Sequence, residues 1–221
     1  MNSRPRVGLI GGTFDPIHVG HLSAAHAAGR ALDLDLVRFI PSARPPHRPD
    51  SPQASEYHRL EMTRLAVADA AAEASPARWE VSDQELRRDG PSFTIDTLAA
   101  LQREGLSPLQ LFFIIGADAF AEIASWHRYP AVLDAAHFAV VTRPGTTLDQ
   151  LRSRLPALRD RMTTPAAAVT AVAPQIILIE GETPDVSSTE IRRLAARGDS
   201  VGGLVTPSVA AYIAQHSLYQ H

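Results

Sequence analysis

Apolar residues gather in short runs, separated by longer stretches in which they recur every three or four positions. The runs at 7–10, 36–40, 79–81, 109–115, 138–142 and 176–179 predict strands, and several are continuous rather than alternating, as in strands covered on both faces. Between them, 21–34, 56–74, 95–104, 117–124, 147–161 and 188–197 predict helices. The first carries Leu22, Ala25, His26 and Gly29 at helical spacing and many alanines, which suits close packing on a sheet. Strand and helix alternate, so the expected fold class is α/β: a doubly wound, Rossmann-like parallel sheet with C-terminal helices, formed by residues 1–221 as a single domain. No internal repeat interrupts this order.

Two stretches carry no period. Residues 41–52 hold five prolines and follow the second strand, at the sheet edge where open α/β proteins place ligands. Residues 162–175, rich in alanine and threonine with Pro165 and Pro174, read as a variable insertion or flexible loop without chemistry.

Composition narrows the partners. With 45% hydrophobic and 20% charged residues the chain has the balance of an ordinary globular domain. A net charge of −3 gives no field that gathers nucleic acid or an anionic membrane, so any phosphate binding has to be local. The chain has no cysteine, which removes disulfides, thiolate nucleophiles and zinc-thiolate sites, so a metal has to use oxygen or imidazole. Arg4 and Arg6 precede an apolar run that glycines break at once, unlike a signal peptide, and no stretch reaches the roughly 18 apolar residues of a membrane span. The expected location is cytoplasmic, with neither nucleic-acid nor membrane partners.

The candidate chemistry starts where the first strand ends, in GGTFDPIHVGHL, residues 11–22. Glycines after a strand allow close backbone approach, and the N–H groups of the turn and helix start that follow favour an anion such as phosphate. Neither G-x-x-x-x-G-K-[ST] nor G-x-G-x-x-G stands at this turn. His18 and His21 are three apart and, if both belong to the helix start, they share a face and aim two donors at one polyphosphate. A cap, a surface histidine or a zinc pair are the alternatives, although His26 as a third ligand would sit off the face of His21.

The stretch is similar to the T/H-x-G-H signature of the nucleotidyltransferase superfamily, and its long form resembles the bacterial nicotinate-nucleotide adenylyltransferases. Further blocks resemble that family in the same order: SARPPHR at 42–48, SFTIDTL at 92–98, IGAD at 115–118, Trp126, and SSTEIR at 187–192. The resemblance runs from about residue 7 to 216 and is least over 162–175. It implies that the phosphate of nicotinate mononucleotide attacks the α-phosphorus of ATP and releases pyrophosphate, with no covalent enzyme intermediate.

It also implies roles residue by residue. His18 and His21 would be the catalytic pair, and ATP would meet Gly11, Gly12, Thr13, Phe14, His18, His21, Arg48, Ser188, Thr189 and Arg192. Thr94, Asp118 and Trp126 would receive the mononucleotide, with Trp126 stacked on the pyridine ring. Mg2+ is implied through the ATP substrate, without a protein ligand, and a homo-oligomer is left open. Asp15, ahead of a proline, is read as a turn residue, and SSTE at 187–190 as a capping box. Two positions depart from the family: Phe93 stands where a tyrosine is expected, and Arg48 where a lysine is. The rival readings are nicotinamide mononucleotide as substrate, another adenylyltransferase such as that for phosphopantetheine, and a non-catalytic nucleotide-binding regulator.

Overall fold

The computed structural model describes residues 5–45, 51–71, 77–142, 148–168, 170–181 and 183–220. Seven strands form one sheet: β1 (Val7–Gly12), β2 (Leu36–Pro41), β3 (Arg78–Val81), β4 (Leu111–Gly116), β5 (His137–Val141), β6 (Met162–Thr163) and β7 (Ile176–Ile179). Their order is β3-β2-β1-β4-β5-β7-β6, and every neighbouring pair is parallel. The helices are α1 (Val19–Leu32), α2 (Glu56–Ala71), α3 (Thr94–Arg103), α4 (Ala117–Phe120), α5 (Leu148–Arg154), α6 (Pro165–Ala168), α7 (Ser188–Ala196) and α8 (Pro207–Gln215). This is the expected doubly wound α/β sheet, with its switch point between β1 and β4.

Alternation along each strand sends side chains into two cores. Ile10, Phe39, Ile114 and Ile177 pack with α1, α2, α7 and α8 on one face. Val7, Leu9, Phe113 and Phe138 pack with α3, Phe120, Leu151 and Leu158 on the other. Both faces are dry, which accounts for the continuous apolar runs.

Three elements differ from expectation. The insertion expected at 162–175 contributes β6 and α6; a two-residue strand shows no period and exists through its pairing of Met162 with Ile176 and Thr163 with Ile177. The helix expected at 117–124 stops at Phe120, and the Ser125 hydroxyl, donating to Glu122 O at 2.7 Å, stabilises a tighter turn instead. The helix expected at 147–161 breaks before Pro156, which has no N–H for an α-helical bond and opens a 3₁₀ segment.

His137 starts β5 at the sheet edge away from the ligand side. Its ring stacks on Phe112 at 4.8 Å, and its Nδ1 accepts the Gln175 N–H at 3.1 Å, so the buried imidazole is neutral. Burial, and then the Arg6 charge, lower its pKa to about 4, against a hydrogen bond to the Leu109 backbone that raises it. Between pH 6.5 and about 4 the unfolded chain therefore takes up a proton that the folded chain refuses. Stability contributed by neutral His137 is complete above pH 6.5 and is lost as the pH falls through this window, by up to about 1.4 kcal/mol per pH unit. Urea unfolding at pH 7 and 5 should show a larger acid loss in the wild type than in His137→Asn; equal losses would contradict the assignment.

Candidate active site

β1 and β4 pair only from Val7–Leu111 to Leu9–Phe113, yet each strand runs three residues further. The ends that no longer pair with each other, Ile10, Gly11 and Gly12 on one side and Ile114, Ile115 and Gly116 on the other, line a cavity at the switch point. Ligands of open α/β sheets bind at this edge. Of the residues singled out above, Gly11, Gly12, Thr13, His21, Thr94 and Trp126 line it.

The glycine-rich exit is shaped by a ring. Phe14 takes positive φ (49°) and is buried, and a Cβ on Gly12 would lie 2.8 Å from its Cε1. Only glycine at 12 lets the chain turn back over the Phe14 side chain. That ring stands edge-on to His21, centroids 5.0 Å apart. Phe14 thus supports the histidine from below, and its side chain is not part of the cavity wall.

The two histidines are not equivalent. His18 is the extended N-cap of α1 (φ −146°, ψ 169°), so the helical spacing argument does not apply to it; the rings meet by stacking, at 3.7 Å and 30°. Gly20 makes room for this, since a Cβ there would come within 3.1 Å of the His18 ring. The His18 N–H donates to His21 Nδ1 at 3.2 Å. Nδ1 is therefore an acceptor, and the proton of the neutral ring sits on Nε2. His21 lines the cavity, whereas His18, 3% exposed, lies behind it. In place of two rings side by side on a helix face, the two rings stack, with His21 at the cavity and His18 buried.

A buried cation and a buried anion hold this loop. Arg59 on α2, 1% exposed, donates through Nη1 to Thr13 O (2.6 Å) and Ser42 O (2.7 Å), tying the loop after β1 to the loop after β2. Burial lowers its pKa, opposed chiefly by Asp15. Asp15 accepts the Gln53 N–H (2.9 Å), the Ala54 N–H (3.0 Å) and the Tyr219 hydroxyl (2.9 Å). Its turn role is therefore extended: it binds together the first loop, the segment before α2 and Tyr219. Burial, and then Asp15, push the Tyr219 phenol far above its usual range.

Ser188 and Arg192 also reach this loop, with Thr189 bonded to Arg192, and none of the three is in the cavity wall. Ser188 Oγ donates to Pro16 O (2.9 Å), and Arg192 donates to Asp15 O (2.8 Å) and to Thr189 Oγ1 (3.3 Å). The capping box of α7 is half formed: Ser187 accepts the Glu190 N–H, while the Glu190 carboxylate pairs with Arg193. Arg48 lies outside the described residues.

At the opposite end, Trp126 packs edge-on against Phe113 (5.9 Å, 86°) and is joined in the wall by Thr94 at the start of α3. Asp118, in the first turn of α4, is not in the wall. Phe93 stacks on His127 (4.0 Å, 22°), so the ring that replaces the expected tyrosine fastens α3 to the segment after Trp126. Ser42, Glu85, Ser92 and Thr183 line the cavity as well and were not among the site residues expected from sequence. For Arg59 a signal existed: it shares a stripe with Met62, Ala66 and Ala70, and an arginine on a buried stripe needs buried acceptors. Glu85 had none, because its partners lie in other segments.

A glycine-rich strand exit and an aromatic wall, both lining one switch-point cleft, go with the class of the fold: an α/β nucleotidyltransferase. The family model described as cytidylyltransferase-like matches residues 9–194. A "probable nicotinate-nucleotide adenylyltransferase" of Pseudomonas entomophila is 42% identical over 218 residues, 97% of this chain and 95% of its own length. The protein of the same description from Pseudomonas fluorescens is 43% identical and covers 97% of both. The chain belongs to the nicotinate-nucleotide adenylyltransferases of the cytidylyltransferase-like family. Nicotinic acid mononucleotide adenylyltransferase of Plasmodium falciparum, solved in complex with NaAD, shares the fold with a TM-score of 0.73 over 98% of both chains at 16% identity.

Proposed function

We infer that the protein joins ATP and nicotinate mononucleotide into nicotinate adenine dinucleotide and pyrophosphate, a step of NAD biosynthesis, with residues 1–221 acting as one domain in the cytoplasm. The observation that carries this reading is the single cleft with His21 at its phosphate end and Trp126 with Thr94 at the other. A phosphate oxygen of the mononucleotide attacks the α-phosphorus of ATP, the new P–O bond forms, and the bond to the β-phosphate oxygen breaks. The nucleophile is already anionic, so the protein's work is alignment and charge stabilisation rather than activation. His21 Nε2–H donates to the phosphate that gains charge, and the backbone of Gly11 to Thr13 lies against the triphosphate. His18 orients His21.

Ser188, Thr189 and Arg192 serve ATP by fixing the Asp15–Pro16 turn, and Arg48 supplies positive charge to the triphosphate. Asp118 is assigned to the mononucleotide ribose. Magnesium enters as MgATP: among the described residues no group of three or more acidic or histidine side chains could hold a metal, and the Asp15 carboxylate is already hydrogen-bonded. Mg2+ bound by phosphate oxygens and water fits such a site. No helix among the described residues is long and apolar enough to cross a membrane.

The test supplies Mg-ATP with nicotinate mononucleotide or its amide and measures pyrophosphate and dinucleotide. Product with the acid is expected, preference for the amide overturns the substrate assignment, and no product with either overturns the enzyme. Trp126→Ala should raise KM for the mononucleotide about tenfold, the scale of a lost aromatic stack, and leave KM for ATP unchanged. A parallel rise in both constants would instead assign Trp126 to the core.

A further inference from the structure

Glu85 is a carboxyl that the phosphate chemistry does not use. It lies between β3 and α3, 6% exposed, and lines the cavity together with Thr94 and Trp126. A carboxyl buried this deeply has to be hydrogen-bonded. The Thr97 hydroxyl donates to its Oε1 at 2.5 Å, and Ser92 lines the same cavity. Ser92 Oγ in turn accepts the N–H groups of Ala43 (3.0 Å) and Arg44 (3.3 Å), and the Ser92 N–H donates to Arg44 O (2.9 Å). With two amides on its oxygen, Ser92 has one proton left to donate, and Glu85 is the cavity-lining carboxyl suited to accept it.

Three segments are joined in this way: the loop after β2, the Ser92–Thr94 approach to α3, and the first turn of α3 itself. Ser42, Pro45, Ser92 and Thr94 on these segments all line the cavity. Burial raises the Glu85 carboxyl above the ordinary glutamate range, while Thr97, Ser92 and Arg88 act against that rise.

We propose that Glu85 is a positioning residue of the mononucleotide subsite, which holds the 42–45 loop and Thr94 in register by accepting the Ser92 and Thr97 hydroxyls. It acts through those hydroxyls rather than on the reacting phosphorus, and the inference rests on the function proposed above. Arg59 bonds the carbonyls of Thr13, Ser42 and Ala43, and Asp15 bonds the Ala54 N–H, so when Glu85 is lost these ties still anchor the phosphate end and the loosening falls on Thr94.

The experiment compares kcat and both KM values for wild type, Glu85→Ala, Glu85→Gln and Ser92→Ala, with thermal unfolding alongside. Glu85→Ala should raise KM for nicotinate mononucleotide about tenfold, with KM for ATP within about twofold. Glu85→Gln, which still offers an acceptor oxygen, should recover most of that loss, and Ser92→Ala should reproduce part of it. Equal rises in both KM values, an unchanged mononucleotide KM, or Glu85→Gln as impaired as Glu85→Ala would each overturn the proposal. If Glu85→Ala unfolds below the assay temperature, Ser92→Ala decides: an unchanged mononucleotide KM refutes the linkage. A wild-type protein that makes no dinucleotide refutes the function itself, and so separates that failure from this one.

Discussion

His21→Ala should lower kcat by about a hundredfold to a thousandfold, the usual effect of deleting one preorganised donor to developing charge. The loss should fall on kcat more than on either KM, because Nε2–H is aimed where charge grows rather than where the ground state is held. Folding should be little affected, since the ring borders a cavity and the stripe that α1 buries, Leu22, Ala25, Ala28 and Leu32, is untouched. Single-turnover pyrophosphate release with an unfolding curve checks both halves. Near-normal turnover in a folded variant would remove His21 from the mechanism. His18→Ala tests the asymmetry between the rings: with His18 behind His21, its loss should act by loosening His21 and cost less.

That asymmetry was not legible in the sequence. The spacing of His18 and His21 identified a pair, and the preceding strand and glycines identified an anion site. Which histidine faces the cavity depends on an extended cap residue and on the room left by Gly20, and a helical wheel represents neither. The sheet was legible because burial on both faces leaves a local mark, a continuous apolar run. β6 was not, because pairing with β7 is all that makes Met162–Thr163 a strand. The cavity-lining half of the site lies in local motifs, GGT, the Ser92–Thr94 block and Trp126. The half that holds it in shape, Arg59, Tyr219 and Glu85, consists of single residues whose partners are 16 or more positions away for Arg59, 204 for Tyr219 and 12 for the Glu85–Thr97 bond.

Arg59→Met should produce the largest loss of stability. Methionine keeps much of the length and apolar volume in the α2 stripe, but the carbonyls of Thr13 and Ser42 lose their donor, and Asp15, whose charge favours the Arg59 cation, loses it. Breaking a buried charged network from one side typically costs about 3 to 5 kcal/mol, because the remaining groups stay desolvated. In a chain of this size that corresponds to a fall in Tm on the order of 10 °C. Arg59 joins the β1 and β2 loops, and Thr13 and Ser42 both line the cavity, so the same substitution should raise KM for ATP. Thermal unfolding with and without ATP separates the two effects. ATP should raise the wild-type Tm by binding the folded state; if Arg59 shapes the loop, the same ATP concentration should raise the variant's Tm by much less. A variant that melts early but gains as much from ATP as wild type would make Arg59 a core residue only. A variant with an unchanged Tm would mean that the three carbonyls it serves, Thr13, Ser42 and Ala43, had found other donors.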